Sequence, residues 1–156
     1  MSEEGVTISA SEGLFVSNFT HSLDPKKRLT IPSDWREQVG DPSALYVLPD
    51  MHESCLIAFP AREMAFRLAK MRRHSIADRK ARAFARVLAA QSELVAWDSQ
   101  GRIRIKDDLL NFAGLTDKVV LVGAFDSFEL WSPESLDAAG GMDRDKLQDA
   151  ARYVGF

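Results

Sequence analysis

The chain has 156 residues, 46% of them hydrophobic and 28% charged, and a formal net charge of −3, an ordinary globular composition that lies outside the disordered class. Its longest apolar runs, such as Val119 to Phe125, fall far short of the roughly 20 residues that a bilayer requires, so no membrane partner is expected. The single cysteine, Cys55, excludes an internal disulfide and suits a reducing compartment.

The charge is segregated. Between Pro60 and Ser92, nine Lys or Arg stand against Glu63 and Asp78, a local +7 that leaves −10 for the rest. Such segregation shapes local fields more than the total does.

In chain order, residues 1–14 are acidic and polar and read as a flexible leader. A short strand then leads into Asp24, and a second is expected over Arg28 to Ile31. A turn of helix follows from Ser33 to Val39, with Ser33 as N-cap and Gly40 in the left-handed position after the last turn. Apolar strands are expected at Leu45 to Leu48 and Cys55 to Phe59.

A basic helical stretch comes next. Pro60 suits a first turn, and Met64, Leu68 and Met71 share one face. Ser75 can cap a second helix, with Asp78 completing a capping box and Ala77, Ala81, Phe84 and Leu88 on its apolar side. The two helices are expected to form a hairpin packed on the strands. The solvated or subunit-contacting face is the favoured reading for their many arginines.

The pattern then repeats. Shifting the sequence by 74 residues aligns Asp24 with Asp98, Arg28 with Arg102, Ile31 with Ile105 and Gly40 with Gly114. The second copy should hold a strand from Arg102 to Ile105, a helix from Asp107 (its N-cap) to Ala113, and strands at Val119 to Val122 and Phe128 to Trp131. A last helix is expected from Asp143 to Tyr153. A repeat too small to close a core alone must share one, and two copies in one chain can satisfy each other. Trp35, Trp97, Trp131 and the nine Phe are read as core or interface.

Catalysis finds no constellation. His21, His52 and His74 are scattered, and His52 with Cys55 lacks the further ligands that zinc requires. A structural histidine and a buried thiol are the readings preferred, and no enzyme activity, cofactor, metal or small-molecule substrate is expected.

Leu23-Asp24-Pro25-Lys26-Lys27-Arg28-Leu29-Thr30-Ile31-Pro32 and Trp97-Asp98-Ser99-Gln100-Gly101-Arg102-Ile103-Arg104-Ile105, with Ala113-Gly114-Leu115, Val120 to Gly123 and Phe128 to Trp131, closely resemble the MraZ family of bacterial transcriptional regulators. The likeness runs from about Phe15 to Trp131. It implies an α+β fold: a pseudo-symmetric double-split β-barrel from two SpoVT-AbrB (swapped-hairpin) repeats, over 15–60 and 91–134, with an intervening helical hairpin at 61–90 and a C-terminal helical tail at 135–156. It also implies a homo-oligomeric ring, a cytoplasmic and nucleoid-associated location, and repression of the division and cell-wall gene cluster through repeated promoter boxes in double-stranded DNA.

The chain departs from the family pattern at Lys27, where glycine is usual, and at Lys106, which replaces a proline. If position 27 needs a positive φ, Lys27 carries a strain of about 1 kcal/mol; otherwise its loop is shaped differently.

Arginine can bind a phosphate or a guanine edge through two parallel hydrogen bonds. Arg28 and Arg102 are therefore assigned to DNA contact, with Lys26, Lys27, Arg104 and Lys106 as phosphate partners. Asp24 and Asp98 are assigned to positioning, because a carboxylate beside phosphate is repelled. The alternative is an antitoxin-like or structural protein-interaction module of the AbrB type. That role would ordinarily go with one copy and a long disordered tail.

Overall fold

The computed structural model describes residues 14–73, 77–141 and 143–156. The leader therefore lies outside the described residues except for Leu14, as do His74 and the expected cap Ser75.

The fold is mixed α+β, as expected. The first copy holds β1 (Asn18–Ser22), β2 (Arg28–Thr30), α1 (Ser33–Val39), β3 (Leu45–Pro49) and β4 (Leu56–Pro60). After α2 (Ala61–Met71) and α3 (Arg79–Gln91), the second copy holds β5 (Glu93–Val95), β6 (Arg102–Arg104), α4 (Asp107–Ala113), β7 (Lys118–Gly123) and β8 (Phe128–Trp131). The chain closes with α5 (Pro133–Ala138), a 3-10 turn at Arg144–Lys146 and α6 (Leu147–Val154).

Six strands form one antiparallel sheet in the order β1-β7-β8-β4-β3-β5, and β2 pairs with β6 in a separate two-stranded ribbon. The first strand of each copy is paired with the other copy: Thr20 stands opposite Val120, and Leu94 opposite Tyr46. These two pairs exchange under the 74-residue shift, so the register itself carries an internal two-fold. In the ribbon that two-fold falls on the Leu29–Ile103 pair.

Strand alternation sends one face of each strand inward. Leu29, Ile31, Ile103 and Ile105 are fully buried and join Leu45, Val47, Val119, Leu121, Phe128 and Leu130 in one core. Phe15, Trp35 and Phe128 pack as an aromatic cluster, with ring centroids 4.6–5.8 Å apart. Both copies thus fill a single interior, which is what their small size demands.

Several local expectations are corrected. Ser33 and Asp107 are the first helical residues, preceded by Pro32 and Lys106 at the cap positions, and neither helix has a side-chain cap. The reason at Asp107 is a stronger partner, the Arg104 guanidinium. Gly114 adopts the left-handed conformation, whereas Gly40 has φ 75° with an extended ψ. Asp78 is itself the N-cap of α3, accepting from the Lys80 and Ala81 N–H groups. A short helix, α5, capped by the Ser132 hydroxyl, precedes the expected last helix.

The aromatic residues divide. Trp35 and Trp131 are buried, but Phe66, Phe84, Phe112, Phe125 and Phe156 are exposed, so they do not fill the core of a single chain. Cys55 is buried, and burial pushes its thiol well above the usual range. His52 is exposed and does not form part of the core.

Both α2 and α3 lean on β3, and α2 also on β4. Neither helix has a buried residue among those described. Arg62 ties α2 to α1 by donating to the carbonyls of Gln38 (2.8 Å) and Val39.

Candidate nucleic-acid interface

The β2–β6 ribbon turns Leu29 and Ile103 into the core, so the residues on either side of each must face away from it. Arg28 then stands across from Arg104, and Thr30 across from Arg102. Three arginines on the outer face of a six-residue ribbon are mutually repulsive, and the adjoining loops and the start of α4 supply the acids that hold them.

The two loops are copies of one another down to individual hydrogen bonds. In the first, Asp24 Oδ1 accepts from the N–H groups of Lys26 (2.9 Å) and Arg28 (2.7 Å), while Oδ2 accepts from Arg28 Nε (2.6 Å). In the second, Asp98 Oδ1 accepts from Gln100 (2.8 Å) and Arg102 (3.0 Å), and Oδ2 from Arg102 Nε (2.9 Å). The turn is closed in each by a backbone bond, Lys27 N–H to the Asp24 carbonyl (2.8 Å) and Gly101 N–H to the Asp98 carbonyl (2.9 Å). The aspartate therefore reaches both the arginine and the backbone.

These bonds favour the charged carboxylate. The Arg28 N–H, foremost, holds Asp24 below the usual carboxylate range, and the Arg102 N–H does the same for Asp98. The loops also meet: Arg102 Nη1 lies 3.9 Å from Asp24 Oδ2. Arg28 and Arg102 thus share one face of the molecule.

Lys27 has φ 61° and its counterpart Gly101 φ 80°, so the position does require the left-handed region and the lysine bears the strain. Lys27 Nζ lies 3.6 Å from Asp107 Oδ1. Arg104 is more engaged than a free phosphate partner would be: its Nη2 donates to Asp107 (2.9 Å) and its Nη1 to the Ile105 carbonyl. The Arg104 hydrogen bond is the main cause holding Asp107 below the carboxylate range. Lys106 donates its backbone N–H to Glu93 (2.9 Å). Among the described residues, the ammonium groups of Lys26 and Lys106 enter no ion pair.

Two supporting residues escape a reading of the sequence. Asp107 has the chemistry of a cap residue and instead tethers Arg104 and Lys27. Arg36 donates Nε to the Ile31 carbonyl (3.1 Å) and lies against Gly101, where an added Cβ would fall 2.6 Å from its guanidinium carbon. A basic residue three places after Ser33 gives no local hint of this contact, because the two loops approach only in the assembled fold.

The family model described as "MraZ protein, putative antitoxin-like" matches residues 88–138. Curated relatives named "Transcriptional regulator MraZ" cover far more of the chain. The one from Corynebacterium jeikeium (strain K411) is 39% identical over 122 residues, 78% of this chain and 83% of the relative. That from Limosilactobacillus reuteri (strain DSM 20016) is 36% identical over 138 residues, 88% of this chain and 95% of its own length. A third, from Clostridium acetobutylicum, is 30% identical over 121 residues, or 78% and 83%. With identity at this level across nearly the full length of such relatives, and with both Asp-x-x-x-Arg loops in place, the chain belongs to the MraZ family.

Proposed function

We propose that the chain is a DNA-binding transcriptional regulator, reading double-stranded DNA through the outer face of the β2–β6 ribbon and its two loops. The observation that carries this is the atom-for-atom repetition of the Asp24–Arg28 and Asp98–Arg102 arrangement on one face. Each aspartate engages its arginine's Nε and leaves Nη donors for a ligand. A two-stranded ribbon fits the major groove, where arginine is matched to guanine and the surrounding lysines to phosphate. Arg28 and Arg102 make the base contacts, Lys26, Lys27, Arg104 and Lys106 the phosphate contacts, and Asp24 and Asp98 position the loops. The relatives' name, transcriptional regulator, supports the same reading.

In this reading the cross-copy strand pairing is that of a double-split barrel of two SpoVT-AbrB repeats. Copies assemble into a ring on the nucleoid, so that many weak loops act together along repeated boxes upstream of the division and cell-wall genes, and binding represses them. Many loops acting together also outweigh the repulsion expected from a net charge of −3 per chain.

The test is binding of an Arg28→Ala plus Arg102→Ala variant to the DNA upstream of its own gene. Losing two bidentate contacts should weaken binding by about 100-fold or more with assembly intact. Affinity of the unaltered protein should fall steeply as salt rises, by roughly 0.9 log units per log unit of salt for each phosphate neutralised. Unchanged binding by the double variant removes the site assignment. The family description's word "antitoxin-like" favours a second reading, a protein-binding module; this would show as a stable complex with a protein partner and no salt-dependent DNA binding.

A further inference from the structure

Asp107, the first residue of α4, carries an exposed carboxylate into the cationic face. Its Oδ1 accepts from Arg104 Nη2 at 2.9 Å and lies 3.6 Å from Lys27 Nζ. Its Oδ2 enters no hydrogen bond or ion pair among the described residues, and the side chain is 58% exposed. Asp24 and Asp98 differ on this point, for both oxygens of each are engaged by loop N–H groups and an arginine Nε. Two cations drawn to one oxygen restrict where the other oxygen sits. Under the 74-residue shift, Lys27, Arg104 and Asp107 correspond to Gly101, Thr30 and Ser33, an uncharged trio.

A duplex lying on the ribbon with Lys27 and Arg104 at its phosphates brings Asp107 inside the footprint, because the carboxylate touches both cations. An ionised carboxylate only accepts hydrogen bonds. Phosphate repels it, and covering its open oxygen strips water from a charged group, which costs affinity unless a donor takes the place of that water. In the major groove the donors on the bases are the amino groups of cytosine and adenine. Adenine N6 is flanked by the N7 acceptor, which repels a carboxylate, whereas cytosine presents N4 with no acceptor beside it. Lys27 and Arg104 outweigh Asp107 in charge, so the face still attracts a polyanion while its tolerance of base pairs narrows.

We propose that Asp107 is a specificity-determining residue whose Oδ2 accepts a hydrogen bond from cytosine N4 in the major groove. One base pair of the site is then selected by this carboxylate, while Arg28 and Arg102 select guanine. The inference rests on the DNA-binding reading above and adds to it an acid that reads sequence, beside the two that hold the loops.

The test is binding of the full chain to DNA from upstream of its own gene, in a pool where each base pair in turn is replaced by the other three and the bound and unbound members are sequenced. The unaltered protein should prefer cytosine at the position read by Asp107, by about 10-fold. An asparagine side chain joins a donor to an acceptor and matches adenine N6 and N7. Asp107→Asn should therefore turn that preference to adenine, and Asp107→Ala should erase it, with the guanine preferences kept in both. Asp108→Asn removes the same charge one residue on and should leave the shape of the profile unchanged. An Asp107→Asn profile parallel to that of the unaltered protein overturns the proposal, whether or not overall affinity moves, because the carboxylate would then act through its charge alone. Loss of the guanine preferences together with the cytosine one overturns it too, making Asp107 a support for the arginines. So does an adenine preference of the unaltered protein at the position that Asp107→Asn alters. An unaltered protein that binds no DNA fells this inference and the DNA-binding reading together. A parallel Asp107→Asn profile, beside loss of binding by the Arg28→Ala plus Arg102→Ala variant, fells this inference alone.

Discussion

Asp24 and Asp98 each accept two backbone N–H groups and one guanidinium, and this makes the loops sensitive to acid. Their pKa values, like that of Asp107, lie below the ordinary carboxylate value in the folded state. A group of that kind contributes stability that is full above its unfolded pKa and is lost as pH falls through the folded one. The urea midpoint of the native protein should therefore decline below about pH 4, and an Asp24→Asn plus Asp98→Asn variant should decline less steeply; parallel curves would remove the role given to the two carboxylates. Position 27 makes an independent case. Lys27→Gly relieves a left-handed lysine and should raise stability by about 1 kcal/mol, at the cost of a cation beside the loop. Gly101→Ala does the reverse, adding a Cβ at φ 80° against Arg36, and should cost about 1 kcal/mol or more in chemical denaturation. If both substitutions were neutral, the backbone of the two turns would differ from that described.

The ribbon is held by very little. Its inward residues are Leu29 and Ile103, each fully buried, and the outer face is a set of cations. Ile103→Ala should cost roughly 2–5 kcal/mol, measured by urea unfolding, and should weaken polyanion binding even though Ile103 faces the core. At this scale much was legible in the sequence. Strands β2, β6 and β8 and helices α1 and α4 lie within a residue of where alternation and glycine placement put them, because those signals are local. The Asp24–Arg28 contact was legible for the same reason, four residues being a span that a turn can close. Cap roles were not. Ser33 and Asp107 have the right chemistry for capping, but Asp107 is drawn to Arg104, a preference that depends on side-chain geometry. Five phenylalanines that composition assigns to core or interface are exposed in the single chain. Composition says that a side chain is apolar, not which surface covers it, and Phe66 and Phe84 border a groove between α2 and α3.

Across the whole molecule, neither copy owns its sheet. Strand β1 of the first copy lies on β7 of the second, and β5 of the second on β3 of the first. Separate fragments 1–91 and 92–156 should each lack cooperative unfolding by circular dichroism, and mixing them should restore it; an independently folded fragment would contradict the shared interior. The duplication is visible in the sequence, while this exchange of strands is not, since alternation reveals a strand and never its neighbour. The internal two-fold is also inexact where it matters. Under the repeat shift, Lys26 and Lys27 correspond to Gln100 and Gly101, and Arg104 corresponds to Thr30. One end of the ribbon thus gathers Lys26, Lys27, Arg28 and Arg104, and the other keeps Arg102 beside Thr30. The ribbon has a heavy pole and a light one, like a compass needle. A polyanion lying along it meets a gradient of charge, and turning that polyanion end for end gives a different complex.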